Sequence, residues 1–292
     1  MVAADFAGTP RAPLRAYYRL PDPGMPTVIV VHGLYDSKHS RYVRLTAQYL
    51  AAQGFGVLAP DMRWHGCLAR DWLPTLGIEE GKDLVAWAGW LHARTPESAA
   101  GLLGFSLGAL DVVHALASDG ENAFPAGGVA ISLPAGLERT LERLDDPPYF
   151  SDYGMQSFIR RFFQAASRKR MRTLHLDTHA GRPFSRLLDW LVQQPPHLPG
   201  STAAAAFAAA DPGAPLRKVR RPLVLITSRR DPICGDLALA DLESAAAANL
   251  SLHLFATTDG GHIGQIGVFP QWTADLLARF FRASAWVASP PK

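Results

Sequence analysis

The sequence predicts an α/β fold in which a mostly parallel sheet is flanked by helices. Short runs that are apolar throughout alternate along the chain with segments of helical periodicity. Such runs are typical of parallel strands, which are buried on both faces of a sheet. Their alternation with helices indicates βαβ units with right-handed crossovers. The 292 residues are enough for one large domain of this class or for two small ones.

The first half of the chain contains most of the predicted elements. Residues 14–20 form a modest extended segment, and the β-branched run at 27–31 predicts the first buried strand. Residues 40–53 carry apolar side chains at helical spacing, and Gly54 supplies a C-terminal stop. The alternation continues with strands at 55–59, 100–105 and 128–132 and with helices at 80–93 and 107–117. This order is that of consecutive βαβ units.

The second half resumes the same alternation after a long interruption. Strands are predicted at 223–227 and 251–255, and helices at 237–247 and 269–282. The interruption carries the pairs Pro147-Pro148 and Pro195-Pro196, an alanine-rich stretch and two helical segments. We interpret it as an inserted helical cap. The predicted organisation is a first core part at 1–133, the cap at 134–215 and a second core part at 216–292.

Composition excludes several classes of protein. The formal net charge of +3 is not gathered into a basic block, so we expect no nucleic-acid partner. Two cysteines cannot form a disulfide framework, and neither lies in a cluster with zinc spacing, so no metal site is predicted. No stretch approaches the roughly 18 apolar residues of a membrane span, and no signal peptide is evident at the N-terminus. We therefore expect a cytoplasmic protein.

The pentapeptide Gly104-Phe105-Ser106-Leu107-Gly108 has the pattern G-x-S-x-G. A strand is predicted directly before it and a helix directly after it. In that setting the turn lifts the serine hydroxyl above the carboxyl edge of the sheet, and the glycines allow a tight backbone approach. Ser106 is therefore the predicted nucleophile, in preference to an ordinary surface turn.

A serine hydroxyl needs a neighbouring base, and the base needs an orienting acid. His262 lies in a glycine-flanked loop after the last predicted strand, whereas its nearest competitor, His253, lies inside that strand. Asp231 directly follows the strand at 223–227. Its rivals Asp211 and Asp236 precede that strand and open a helix, respectively. We assign His262 as the base and Asp231 as the acid.

Two backbone N–H groups are expected to stabilise the oxyanion that forms when a serine attacks a carbonyl. His32-Gly33-Leu34 ends the first buried strand, and Leu107 follows the nucleophile. The N–H groups of Leu34 and Leu107 are the predicted oxyanion hole.

These motifs together resemble the α/β-hydrolase superfamily over nearly the whole chain except the cap. They are His32-Gly33-Leu34, Asp61-Met62-Arg63-Trp64-His65-Gly66, Gly104-Phe105-Ser106-Leu107-Gly108, Asp231 and Gly261-His262. The segments His32-Gly33-Leu34, Ser40-Arg41-Tyr42 and Ala130-Ile131-Ser132-Leu133-Pro134 are similar to the YheT-like esterases. The resemblance implies an α/β-hydrolase fold and hydrolysis of carboxylic esters through an acyl-serine, with no cofactor.

The substrate is less readable than the chemistry. We expect a small-molecule ester or acyl substrate with an apolar acyl or aromatic part, because the cap is rich in aromatic residues. The candidate pocket residues are His32, Tyr35, Trp64, Phe158, Phe162 and Trp190. Oligomeric state stays open.

Other residues of chemical interest are given structural roles. His175 and His179 are spaced as a metal pair on a helix would be, yet we assign them to the cap surface because no third ligand is nearby. We expect Asp61 and Arg63 to pair with each other, and Cys67 and Cys234 to be bystanders near the rim of the active site.

The residues leave alternatives open. An acyl-serine can pass its acyl group to an alcohol or amine, which would make the protein an acyltransferase, and a thioesterase or a lyase/cyclase would use the same site. A non-catalytic binding protein on a hydrolase fold is an alternative of another class.

Overall fold

A computed structural model describes residues 2–9, 12–34, 36–63, 65–66, 75–145, 202–268 and 270–288. Eight strands of the described chain form one sheet in the order β1-β2-β4-β3-β5-β6-β7-β8. They are β1 (Val2–Thr9), β2 (Ala12–Arg19), β3 (Thr27–Val31), β4 (Gly56–Pro60), β5 (Ala100–Phe105), β6 (Gly128–Ile131), β7 (Leu223–Ser228) and β8 (Leu252–Thr257). Strands β3 to β8 run parallel to one another, which confirms the predicted mostly parallel sheet.

Strand β1 was not predicted. It pairs with β2 in an antiparallel hairpin, and β2 is antiparallel to β4 as well. The sequence of β1, Val-Ala-Ala-Asp-Phe-Ala-Gly-Thr, has small and polar residues of low strand propensity. Its strand conformation comes from pairing with β2, which local propensity does not reveal.

The described residues form nine helices. They are α1 (Arg41–Ala52), α2 (Ile78–His92), α3 (Leu107–Ala123), α4 (Leu137–Asp145), α5 (Ala203–Ala210), α6 (Gly213–Lys218), α7 (Gly235–Ala248), α8 (Gln265–Val268) and α9 (Pro270–Ala288). Helices α1, α2, α3, α7 and α9 lie close to predicted ranges, whereas α4, α5, α6 and α8 were not predicted. Both α3 and α9 run six residues beyond their predicted ends. The polar residues near the end of α3 interrupt its apolar pattern, although its backbone stays helical.

The sheet separates two apolar layers. Along β3, Ile29 and Val31 face one layer while Val28 and Val30 face the other, because successive side chains of a strand point to opposite faces. Residues of α2, α3 and α7 pack on the first face and residues of α1 and α9 on the second. Every residue of β3 to β7 is buried. Because helices cover both faces of the sheet, these strands are nearly continuous apolar runs in the sequence.

Most of the predicted cap lies outside the described residues. Its two described ends are α4 on one side and α5 with α6 on the other. The division of the chain at 133 and 216 stays a prediction.

Candidate active site

The carboxyl ends of the parallel strands bring several loops to one edge of the sheet. Ser106 follows β5, Asp231 follows β7 and His262 follows β8. The loop after β3 reaches the same edge. This is the edge where open α/β sheets bind their ligands.

Ser106 lies on a sharp turn between β5 and α3, with a positive φ of 53°. Left-handed backbone is uncommon for a residue with a side chain and is held only where its surroundings enforce it. A Cβ on Gly104 would lie 2.1 Å from the carbonyl oxygen of Gly108, and one on Gly108 would lie 2.4 Å from that of His32. Both flanking glycines are therefore sterically required by the turn.

His262 connects Ser106 to Asp231. Its Nε2 lies 2.8 Å from the Ser106 hydroxyl oxygen, and its Nδ1 lies 2.9 Å from Oδ2 of Asp231. A carboxylate only accepts hydrogen bonds, so Nδ1 carries the imidazole proton and Nε2 is left to accept the proton of Ser106. The structure thus brings together the three residues predicted from separate loops.

The Asp231 carboxylate is buried yet held in its charged form. Burial alone raises its pKa, but the hydrogen bond from His262 and two backbone N–H groups outweigh that effect and lower the pKa overall. Those N–H groups belong to Ile233 and Cys234 and donate to Oδ1 over 2.8 and 3.1 Å. Nδ1 of His262 lies 3.1 Å from Oδ1 as well as 2.9 Å from Oδ2, so both carboxylate oxygens face the imidazole.

The rival residues lie elsewhere. Asp211 accepts the backbone N–H groups of Leu137 and Gly213. Asp236 lies in the first turn of α7, and His253 is an exposed residue of β8. None of these three bonds to His262 or Ser106 in the described residues.

The loop after β3 lies against Ser106. A Cβ on Gly33 would lie 3.4 Å from the Cβ of Ser106. The Gly33 N–H donates to the Tyr42 hydroxyl over 2.7 Å and is therefore already used. The next N–H along this loop that could donate to an oxyanion is that of Leu34. Leu107 is the first residue of α3, and the first N–H groups of a helix have no acceptor within the helix. The oxyanion-hole roles of Leu34 and Leu107 stay predictions.

Tyr42 and Asp36 hold that loop, and the sequence did not reveal the connection. The Tyr42 hydroxyl donates to Oδ2 of Asp36 over 2.8 Å while it accepts the Gly33 N–H. Burial and the nearby Asp36 carboxylate raise the pKa of Tyr42, so the phenol keeps its proton. The ring also packs edge-on against Phe105, the residue before Ser106. The network therefore joins the loop to the nucleophile turn.

The prediction that His32 lines a substrate pocket disagrees with its place in the structure. His32 is fully buried, and burial lowers its pKa, so its ring is neutral. Nδ1–H donates to the Gly33 carbonyl over 2.8 Å, and Nε2 accepts the N–H of Met62 over 3.1 Å. The ring ties together the loops that follow β3 and β4.

The expected ion pair between Asp61 and Arg63 is also wrong. Asp61 instead bonds to the ammonium of Lys38 and, over 2.9 Å, to the Lys38 backbone N–H. Arg63 bonds to Asp83 of α2 over 2.7 Å. Each residue thus binds a neighbouring element, which fixes the loop after β4 from two sides.

Cys234 lies closer to the catalytic residues than the sequence analysis predicted, which placed it near the rim of the active site. Its thiol is fully buried, with Sγ 3.9 Å from Nδ1 of His262 and 3.7 Å from the Ser132 carbonyl oxygen. Its position three residues after Asp231 was the available signal, because the backbone of that turn folds around the carboxylate.

The remaining predicted residues lie outside the described part of the chain. They are Tyr35, Trp64, Phe158, Phe162 and Trp190 of the candidate pocket, the pair His175 and His179, and Cys67.

Comparison with known proteins agrees with the α/β-hydrolase fold. The model of the alpha/beta hydrolase family matches residues 28–280. A solved esterase of Pyrococcus furiosus is 25% identical with a TM-score of 0.63, over 94% of this chain and 86% of that one. An acylaminoacyl peptidase of Pyrococcus horikoshii is 18% identical with a TM-score of 0.65, over 96% of this chain and 41% of that one.

A 2,6-dihydroxy-pseudo-oxynicotine hydrolase is 16% identical with a TM-score of 0.65, over 97% of this chain and 68% of that one. No curated protein sequence matches the chain significantly. None of the described helices combines the length and apolar character that crossing a bilayer requires. The finer likeness to YheT-like esterases stays a prediction.

Proposed function

Because the chain belongs to the alpha/beta hydrolase family, we propose that this hydrolase cleaves carboxylic esters through an acyl-serine intermediate on Ser106. The observation that carries the proposal is the hydrogen-bonded line from the Ser106 hydroxyl through His262 to Asp231, with distances of 2.8 and 2.9 Å. It supplies a nucleophile, a base and an orienting acid in the geometry that acyl transfer needs.

Acylation begins with attack of the Ser106 oxygen on the ester carbonyl carbon. Nε2 of His262 takes the hydroxyl proton as the new bond forms. The resulting imidazolium is stabilised by the Asp231 carboxylate, whose lowered pKa keeps it charged. The negative charge moves onto the former carbonyl oxygen, where the Leu34 and Leu107 amides would donate to it.

Collapse of the tetrahedral intermediate completes the first half of the reaction. His262 gives its proton to the leaving alcohol, which leaves an acyl group on Ser106. Water then attacks the acyl carbon, His262 takes one of its protons, and the acid departs as the proton returns to Ser106.

Tyr42 acts as a positioning residue in this scheme. The Tyr42 hydroxyl accepts a hydrogen bond from the Gly33 N–H and so fixes the His32–Gly33 peptide plane. This orients the next N–H of the loop, that of Leu34. Donors aligned before the reaction cost no reorganisation when the charge develops. We assign the Asp36–Tyr42 pair to this alignment.

The 25% identical esterase favours an ester as the substrate over other acyl compounds. We keep the apolar acyl or aromatic group as the proposed substrate type. Product analysis with competing alcohols and amines separates hydrolysis from acyl transfer.

Burst kinetics with an activated aryl ester test the proposal. The native chain should release one equivalent of the phenol rapidly, then turn over more slowly as the acyl-enzyme hydrolyses. Ser106→Ala should show neither phase. Ser118→Ala is the matched control, because Ser118 is an exposed serine of α3, the helix that follows Ser106, and its hydroxyl donates to the Ala115 carbonyl. Undiminished turnover in Ser106→Ala would overturn the assignment.

A further inference from the structure

We propose that Cys234, His262 and Asp231 form a binding site for a thiophilic divalent metal ion such as Zn²⁺, and that a metal bound there stops the reaction. In the described part of the chain these three are the one group with metal-ligand atoms that all lie within 4.8 Å of one another. The prediction that a metal binds is independent of the proposed function. The prediction that the bound metal stops the reaction rests on it.

Two of the distances between the three ligand atoms are close to those of a tetrahedral zinc centre. Bond lengths of zinc to sulfur, nitrogen and oxygen require about 3.6 Å between sulfur and nitrogen and about 3.4 Å between nitrogen and oxygen. The structure has 3.9 Å from Sγ of Cys234 to Nδ1 of His262. It has 2.9 Å from Nδ1 to Oδ2 of Asp231. Shifts of about 0.3 to 0.5 Å would bring these two distances to the zinc values. All three ligand atoms lie within 4.8 Å of one another.

The loop that carries Asp231 and Cys234 is already shaped to present both ligands. Oδ1 of Asp231 accepts the N–H groups of Ile233 and Cys234, which fixes the carboxylate beside Nδ1 of His262 with Oδ2 as its nearer oxygen. Among the described residues the Cys234 thiol makes two long contacts, to Nδ1 of His262 and to the Ser132 carbonyl. The proposed reaction makes no use of this thiol.

The donor set selects the kind of metal. Thiolate, imidazole and carboxylate are the three ligand types that zinc takes in proteins, whereas Mg²⁺ and Ca²⁺ take oxygen ligands. The side chain of His262 is 19% exposed while that of Asp231 is fully buried. The ion therefore enters from the side of the imidazole.

Metal binding removes the base from the reaction. The Cys234 thiol loses its proton to solvent, and the metal takes the position that the Nδ1 proton held. A neutral imidazole keeps one proton, which then resides on Nε2, the atom that faces Ser106. A protonated Nε2 cannot accept the serine proton, so acylation stops until the metal leaves.

The binding arm of the test uses Co²⁺ and Zn²⁺ alone. The native chain and Ser106→Ala should each bind one Co²⁺ with a thiolate charge-transfer band, which Zn²⁺ displaces. Cys234→Ser and Cys234→Ala should lose the band and bind at least about 10-fold more weakly. The matched control is Cys67→Ala, which changes the other cysteine of the chain. Circular dichroism checks that each variant is folded, and the serine variant is the conservative replacement.

The inhibition arm uses the same variants and expresses each rate relative to that variant's own metal-free rate. Zn²⁺ should inhibit the native chain and Cys67→Ala equally, with recovery on addition of EDTA, and should inhibit the Cys234 variants at least about 10-fold less. A thiolate band that survives in the Cys234 variants, or equal inhibition of all chains, would overturn the metal site. Thiolate-dependent binding without any esterase activity would support the metal site and count against the proposed function.

Discussion

Ser106 and the loop that carries Leu34 face each other across the site, yet the chain holds them by different means. The nucleophile turn is held by backbone packing, because Gly104 and Gly108 approach neighbouring carbonyl groups too closely for any side chain. The opposite loop is held by polar side chains, among them Tyr42 and His32. The nucleophile turn should therefore lose its geometry when a methyl group is added to a glycine. The opposite loop should lose its geometry when a hydrogen-bonding atom is removed.

The largest effect is expected at the nucleophile turn. Gly104→Ala places a methyl carbon against the Gly108 carbonyl, and backbone atoms cannot yield as a flexible side chain can. A displacement of the nucleophile by about 1 Å costs about 100-fold in rate, so we expect at least that loss together with a lower Tm. Turnover of an aryl ester and thermal unfolding measure both.

Gly89 provides the contrast on α2, where an added Cβ meets nothing within 4 Å. Gly89→Ala should keep full activity and stabilise the protein by about 0.5–1 kcal/mol, because alanine favours the helix. Normal activity in Gly104→Ala would show that the turn is not held by this contact.

A smaller effect is expected at the opposite loop. Tyr42→Phe removes the acceptor of the Gly33 N–H, so the Leu34 amide loses its alignment. Loss of a direct oxyanion donor costs about 100- to 1000-fold, and we expect about 10- to 100-fold here because the donor stays present. The fall should be in kcat, with KM nearly unchanged, and a boronate analogue of the transition state should bind more weakly in proportion.

Tyr49→Phe is the matched control, since Tyr49 lies on the same helix and donates to Asp275 on α9 over 3.3 Å. A drop of equal size in both variants, or a rise in KM alone, would assign Tyr42 a general structural role.

The sequence alone predicts the residues of the nucleophile side, but it does not predict the contacts that hold the opposite loop. The reason is physical. Ser106, Asp231 and His262 each follow a strand and carry glycine or turn residues nearby, which are local signals. The bonds of Tyr42 to Gly33 and of Lys38 to Asp61 join residues that no periodicity relates. The strand β1 likewise depends on its partner. Side-chain packing between distant segments therefore set the limit of prediction.

The smallest effect concerns Asp111, which lies on α3 behind the nucleophile. It is fully buried, and neither carboxylate oxygen has a hydrogen-bond partner among the described residues. Burial first, and then Glu80 and Asp83, raise its pKa well above the ordinary value. Above that ordinary value the unfolded chain releases the proton while the folded chain retains it, so the folded state loses stability as the pH rises.

Asp111→Asn removes this titration. The Tm of the variant minus the Tm of the native chain should increase from pH 4 to pH 8. The increase should be about 2–4 °C for each kcal/mol of unfolding free energy that the native chain loses over this range. Asp241→Asn is the control, because its exposed ion pair with Arg139 contributes little to stability. A difference in Tm that stays constant over this pH range would contradict the buried, protonated carboxyl.

The central claim is that Ser106 is the nucleophile, activated by His262. Intact-mass measurement after brief treatment with a fluorophosphonate tests it directly, because the reagent phosphonylates an activated serine without the need for a known substrate. We expect one adduct on the native chain, mapped to Ser106 by peptide sequencing, and none on Ser106→Ala or His262→Ala. An adduct at another residue, or equal labelling of all three chains, would contradict the claim.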